Sequence, residues 1–418
     1  MRIGYACKTL AVPDTEQKSC TAANASEQNL LALIGHNLDA LAHAVDYNAR
    51  NGIQLYRISS DLIPFGSSPV NPLPWWEIYA EKLAGIGAAI RTAGMRVSMH
   101  PGQYTVLNSP SVDVVRRAVK DLEYHARVLD ALGTDAGSKI ILHVGGVYGN
   151  RAAALERFPA VYADLSEAVK RRLVLENDDK SYPIGEVLEL GTRLGIPVVY
   201  DTLHNRVNPC NETKGDAYWI AECARTWRPA DGPQKIHYSQ QDPDKAPGSH
   251  SRSIAVEEFL RFLAEIVPQD VDVMLEVKDK NLSAVKCVNC IATPGHIDAL
   301  EREWGRYKYA VLEHSPDIYQ QARALLRDKA AYPAREFYAL MERAMREETN
   351  PGRFRNAAEH VWGYFKGKAT TRERAAYERA SGAVDGSEKS MAAIKKVLWK
   401  LAQTYGEDYL LNSYYFVL

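Results

Sequence analysis

The chain has 418 residues, 46% hydrophobic and 25% charged, with a formal net charge of −1. That length holds one large α/β domain and leaves room for a second of about 100 residues, and the composition is that of a folded globular protein. The balanced charge excludes a globally basic polyanion binder, so any contact with nucleic acid must come from a local basic rim.

In chain order, short apolar runs at 3–5, 55–58, 97–99, 140–142, 174–175, 198–200, 235–236 and 273–275 read as strands. They are continuous rather than alternating, as in parallel strands covered on both faces. Between the first two, Leu30, Leu31, Ile34, Leu38, Leu41 and Val45 recur at helical spacing. Amphipathic stretches near 75–93, 111–132, 152–170, 184–194, 214–226 and 254–266 separate the others. Eight βα units predict a (β/α)8 TIM barrel over residues 1–300. Beyond, apolar runs stop and Ala, Arg, Glu and Lys dominate at helical spacing. A small all-α domain is therefore expected over 301–418, with helices near 316–330, 333–348, 353–366, 371–380 and 388–405. Pro333, Pro351 and the segment 381–387 mark its breaks. No apolar stretch is long enough to span a bilayer, and the start MRIGYACKTL lacks a signal peptide's pattern, so a cytoplasmic protein is expected.

The last six strands each close on a residue able to bind a metal: His100, His143, Glu176, Asp201, His237 and Glu276, spaced 25 to 43 residues apart. A barrel delivers all its strand ends to one mouth, so these residues should converge and the chain reads as a metalloenzyme. Glu176, Asp201 and Glu276 crowded together would repel, and divalent cations relieve that repulsion while accepting neutral imidazole nitrogens. Mixed ligation of this kind suits Mn, Zn or Fe without choosing among them. Asp201 and His204 form an Asp-x-x-His pair, and His250 in GSHSR is a further candidate. Lys235, two residues before His237, points to the same side of its strand. It is either an ion-pair partner for a carboxylate or a carbamylated, bridging ligand. Cys287 and Cys290 form a CxxC pair placed at the start of a helix, and Cys7 and Cys20 follow the first strand. Together these are candidates for a second metal or iron–sulfur site, the alternative being ordinary reduced thiols.

HPGQY at 100–104, HVGGVYG at 143–149, LENDDKSY at 175–182, the Asp201 and His204 pair, KIHYS at 235–239 and MLEVKDK at 274–280 closely resemble the UV damage endonucleases. RISSDLIPF at 57–65 and GYAC at 4–7 fit as well, and the resemblance spans about 1–285. It implies an ATP-independent DNA repair enzyme that nicks damaged duplex immediately 5′ of pyrimidine dimers and 6-4 photoproducts, with abasic sites as further substrates. It also implies manganese, as two or three ions, held by His100, His143, Glu176, Asp201, His204, His237, His250 and Glu276, with Lys235 as the carboxylated lysine. Glu176, Asp201, His237, Glu276 and Lys235 would carry catalysis, by metal-activated water attack giving a 3′ hydroxyl and a 5′ phosphate. By the same resemblance Gln103 and Tyr104 enter the duplex at the lesion and Tyr5 lines the pocket for the flipped bases. Arg151, Lys180 and Arg206 are nearby loop cations for phosphates. One position departs: Ser68 stands in FGSSP where the family usually has histidine, and a serine hydroxyl is a poor ligand beside imidazole.

Trp304, Lys308, Tyr309, His314, Ser315 and Tyr319, with HVWGYFK at 360–366 and YLLNSYYF at 409–416, resemble the YbgA-type helical domain of unknown function. A lesion-binding or repair-partner role and a purely stabilising one both fit it. Two other readings of the whole chain stay open: a sugar isomerase or epimerase built on a similar metal barrel, and a catalytically weakened damage-binding protein.

Overall fold

The computed structural model describes residues 1–266 and 269–418. Eight strands, β1 (Ile3–Ala6), β2 (Leu55–Ile58), β3 (Arg96–Met99), β4 (Lys139–His143), β5 (Leu173–Glu176), β6 (Val198–Asp201), β7 (Lys235–Tyr238) and β8 (Asp272–Leu275), close in sequence order into a barrel. Every neighbouring pair is parallel, including β1 with β8, so the TIM-barrel expectation is met. The strands are buried on both faces, the outer one apolar against the surrounding helices and the inner one against the side chains of the other strands.

Helix Glu27–Arg50 starts where the Ser26 hydroxyl accepts the Asn29 amide, and it buries Leu30, Ile34, Leu38, Leu41 and Val45 against the barrel wall. Each such side chain contributes about 1.5–3 kcal/mol by leaving water. Helix Val112–Ala131 buries Ala118, Leu122, Val128 and Leu129, but also Asp121 and His125, two polar residues on a face that packs inward. The stretch 152–170 is two helices, Arg151–Ala163 and Glu167–Lys170, because Ser166 caps a new start by accepting the Val169 amide. Helix Ile184–Leu194 stops at Gly195, whose φ of 66° is the left-handed conformation that glycine adopts without strain.

Register positions the ligands. On adjacent strands His143 is level with Glu176, and Asp201 with His237. Neighbouring strands lie about 4.8 Å apart, so these pairs reach the same height in the lumen.

The chain divides into two compact units, Met1–Thr9 with Asp14–Val285, and Leu10–Pro13 with Lys286–Leu418. The second is helical, with Ile297–His314, Pro316–Leu325, Ala334–Arg346, Pro351–Trp362, Thr371–Gly382 and Glu388–Tyr405 as its long elements. Phe354, Val361, Phe365, Ile394 and Leu398 are fully buried in its core. Its first long helix precedes every segment anticipated from the sequence, and it buries Glu303 and Glu313 alongside Leu300, Tyr307, Tyr309, Val311 and Leu312, which breaks the apolar pattern. Helix Asn281–Ile291 places Cys287 and Cys290 near its end rather than its start, both buried.

A candidate metal centre at the barrel mouth

Alternation along a strand sends every second side chain into the lumen. One such layer consists of Arg57, His100, His143, Glu176, Asp201, His237 and Glu276, and the layer two residues below it is mostly apolar: Leu55, Ser98, Ile141, Val174, Val199, Lys235 and Met274. The charged layer thus sits on an apolar floor.

Glu176 is its hub. Its Oε2 meets His100 Nε2 at 2.9 Å and His143 Nε2 at 3.5 Å, while its Oε1 meets His237 Nδ1 at 2.6 Å and lies 3.9 Å from His204 Nδ1. Three groups of ligand atoms, each within 4.8 Å of one another, share it: His100, His143 and Glu176; Glu176, Asp201 and His204; Glu176, His237 and Glu276. His250 stands at the edge, its Nε2 3.7 Å from Glu276 Oε2, and is held there by an antiparallel bridge to Gln241.

The electrostatics are those of an anionic pocket in need of cations. Burial alone would raise Glu176, but the His237 and His143 imidazoles and a hydrogen bond from His100 hold it well below the ordinary carboxylate range. Asp201 is raised, by burial and by the neighbouring carboxylates Glu176 and Glu276, against the pull of His204. Burial also opposes the charge on His204, yet Asp201, Glu176 and Glu276 lift it to about 9. His100 is pushed down to about 4 by burial, with the Arg57 and His143 charges adding to it, despite its bond to Glu176. His143 Nδ1, Asp201 Oδ2 and His237 Nε2 are buried and have no hydrogen-bond partner among the described residues. Orphaned groups of this kind are costly, and imidazole nitrogens with carboxylate oxygens are the donor set a divalent transition metal takes. The residues present fit such an ion.

The other expected site residues fall into place unevenly. Lys235 is fully buried in the apolar layer, its Nζ without a hydrogen-bond partner, and burial with the nearby Arg96 charge lowers its pKa well below that of a free lysine. No carboxylate among the described residues forms an ion pair with it, which removes the ion-pair reading. Gln103 and Tyr104 occupy the tip of a turn closed by the Thr105 amide to the Gly102 carbonyl, and Tyr104 is 72% exposed. A side chain at Gly102 would overlap the Tyr104 ring, so glycine there lets the ring lie across the backbone. Tyr5 does not line a pocket. It is fully buried, packed on Tyr56, with its hydroxyl donating to Asn48 and bonded to Thr9, because its strand position faces the helices and not the lumen. Arg151 is spent on Glu186 and the Ser181 carbonyl, and Arg206 lies 3.6 Å from Glu258. Lys180 is left 80% exposed, with Asp179 4.0 Å away. None of the metal-capable groups among the described residues contains a cysteine. Ser68 Oγ accepts the Val70 amide within a turn.

Two residues were missed from the sequence. Arg57 pairs with Glu276 and, against the burial that raises this carboxyl, keeps it ionised. Asn177 brackets β6, accepting the Asp201 amide at 2.8 Å, donating to its carbonyl at 3.1 Å, and taking the His204 Nδ1–H on its own carbonyl at 2.9 Å. A lone arginine at the end of an apolar strand was the available signal for the first. Nothing local announced the second.

Comparison with known proteins agrees with this geometry. A family model described as UV-endonuclease UvdE matches residues 1–301, and one described as a protein of unknown function matches 308–418. A protein from Clostridium perfringens called UV DNA damage endonuclease is 36% identical over 408 residues, 96% of each chain. One of the same name from Bacillus cereus is 32% identical over 299 residues, 69% of this chain and 94% of its own. A crystal structure titled SacUVDE superposes with a TM-score of 0.66 at 36% identity, covering 70% of this chain and 98% of that one. With the barrel, the strand-end cluster and these matches together, the chain belongs to the UV-endonuclease UvdE family.

Proposed function

We propose that residues 1–300 form a metal-dependent repair endonuclease that nicks duplex DNA immediately 5′ of UV photoproducts, leaving a 3′ hydroxyl and a 5′ phosphate. The observation that carries this reading is Glu176, shared by three ligand groups in which His143 Nδ1, Asp201 Oδ2 and His237 Nε2 are buried without partners among the described residues. His100, His143, Glu176, Asp201, His204, His237, His250 and Glu276 would hold the ions, manganese by family resemblance. Bound there, divalent ions supply an activated water and neutralise charge gathering on the phosphoryl group and the departing oxygen.

The protein's own residues do the rest. Arg57 keeps Glu276 anionic, and the Asn177 carbonyl accepts a hydrogen bond from His204 Nδ1–H, leaving Nε2 as the nitrogen an ion would take once it displaces the proton that the surrounding carboxylates hold there. The solvent-facing Tyr104 ring and its neighbour Gln103 suit the gap left when a poorly stacked photodimer is extruded. Damage lowers that extrusion cost by a few kcal/mol, so affinity selects the lesion rather than a base sequence. Lys180 is the loop cation free to meet a phosphate, while Arg151 and Arg206 would first have to leave their carboxylates. The partnerless Lys235 amine is suited to carboxylation, which intact-mass measurement under CO2 would read as one added CO2.

The test is cleavage of an end-labelled duplex carrying one pyrimidine dimer, beside its undamaged twin, with manganese or with chelator. Manganese-dependent nicking at the 5′ side of the dimer is expected. Lesion binding without cleavage would instead favour a damage-recognition protein.

A further inference from the structure

The lesion probe and the first ligand of the metal centre share one short loop: His100 directly follows β3, and Gln103 and Tyr104 come next at the tip of the Gly102–Thr105 turn. Both ends of that loop are tied to helix Val112–Ala131 through buried polar groups. At the far end the Thr105 hydroxyl donates to Asp121 Oδ2 at 2.6 Å. At the near end the Ser60 hydroxyl donates to the His100 carbonyl at 2.8 Å and lies 2.9 Å from His125 Nε2. His125 is itself fixed one turn along the same helix, its Nδ1–H donating to the Asp121 carbonyl at 2.6 Å. His125 is fully buried, and Asp121 and Thr105 nearly so. Neighbouring Tyr124 extends the grip to the loop after β2, donating to the Ser60 carbonyl and accepting the Ile63 amide.

Packing alone would favour apolar side chains on this face, since burying a carboxylate and an imidazole is costly unless their bonds are made. Here the bonds made run to the two ends of one six-residue loop. We propose that Asp121, His125 and Ser60 are positioning residues that set the register between the probing tip and the metal centre, and so choose which phosphodiester bond is cut. Successive base pairs are about 3.4 Å apart along the duplex, so a tip displaced by that much presents a different phosphate to the ions. The loop is short enough that slack at either end reaches the tip. This inference rests on the reading of Gln103 and Tyr104 as the lesion probe.

The experiment uses the full chain and its Thr105→Val, Thr105→Ser and His125→Gln variants. Thr105→Val removes the hydroxyl at nearly constant shape, which protects against loss of fold. Incision of the dimer duplex is mapped at nucleotide resolution, and the ratio of damaged to undamaged cleavage is measured across manganese concentrations. Thr105→Val and His125→Gln are expected to spread incision to neighbouring phosphates and to lower the damaged-to-undamaged ratio about tenfold. Half-saturating manganese should stay within about twofold of the parent, and Thr105→Ser should restore both readouts. A uniform fall in rate, with the cut site and ratio unchanged, would overturn the proposal and leave the network a packing device. A readout without cleavage separates this from failure of the enzyme reading itself: 2-aminopurine opposite the dimer, in chelator, should brighten on binding the parent and less on binding Thr105→Val. Equal brightening with both proteins counts against the positioning role even if the parent never cuts.

Discussion

The two ends of the barrel both bury charge, and they treat it in opposite ways. At the amino-terminal end Arg96 donates to the carbonyls of Gly137, Pro233 and Asp231 and to Asp272 Oδ2, and Lys139 donates to Asp231 Oδ1 and the Arg171 carbonyl. Arg172 is equally occupied, by Asp130 and by the carbonyls of Thr134, Asp135 and Ser138. At the carboxyl-terminal mouth Arg57 Nε, His143 Nδ1, Asp201 Oδ2 and His237 Nε2 have no partner among the described residues. A closed ledger of hydrogen bonds marks a plug that holds the strands together. Open valences at the other end mark a site kept for something the chain does not itself supply.

The contrast breaks first at Glu176. Glu176→Gln removes the one anion common to all three ligand groups, and nicking of dimer DNA should fall by about 10³-fold or more. Thermal unfolding in chelator should also come at a lower temperature, because Glu176 is bonded to His100 and His237 and held below the ordinary carboxylate range, so its buried charge stabilises the fold. Manganese should raise the melting temperature of the parent, by about 2.7 kcal/mol of stabilisation at a hundred times its Kd, and should do so far less in the variant. A manganese shift as large in the variant as in the parent would remove Glu176 from the centre.

At the opposite end Arg96→Met should reverse the pattern. Stripping this cation leaves Asp272 with Arg2 alone and several carbonyls unpaired, at a cost of about 3–5 kcal/mol by denaturant unfolding. The cleavage rate per folded molecule should hardly change. A catalytic loss larger than the stability loss would blur the division between plug and site.

The smallest effect concerns Ser68. By resemblance its place belongs to a histidine, and here its hydroxyl accepts the Val70 amide in a turn. Ser68→His should lower the manganese needed for half-maximal nicking by a few-fold, and an identical metal dependence would show that this position has no part in ligation.

Much of this was readable along the chain because strands announce themselves locally. A run of apolar residues followed by His, Glu or Asp specifies both an element and which end of it carries chemistry, and all six such residues lie at the barrel mouth. Arg57 was readable in principle, being a charge in an apolar strand. Tyr5 was misjudged because a motif records which residue is present and not which way it faces. Its odd register with Ile3 turns it outward, to Asn48 of helix Glu27–Arg50. The carboxylate partners of Arg151 and Arg206, Glu186 and Glu258, are distant in sequence and could not be read from the loops that carry the two cations.

The sequence by itself determined the barrel, the helical unit after it and the set of candidate ligands, since apolar periodicity and strand-end chemistry are properties of neighbouring residues. Only the tertiary structure decided that Glu176 is the hub, that Lys235 lies in an apolar layer below the candidate ligands, and that helix Val112–Ala131 grips both ends of the His100–Thr105 loop. Those are distances between groups tens of residues apart, and they come into being when the sheet closes and its register places each side chain at a particular height in the lumen.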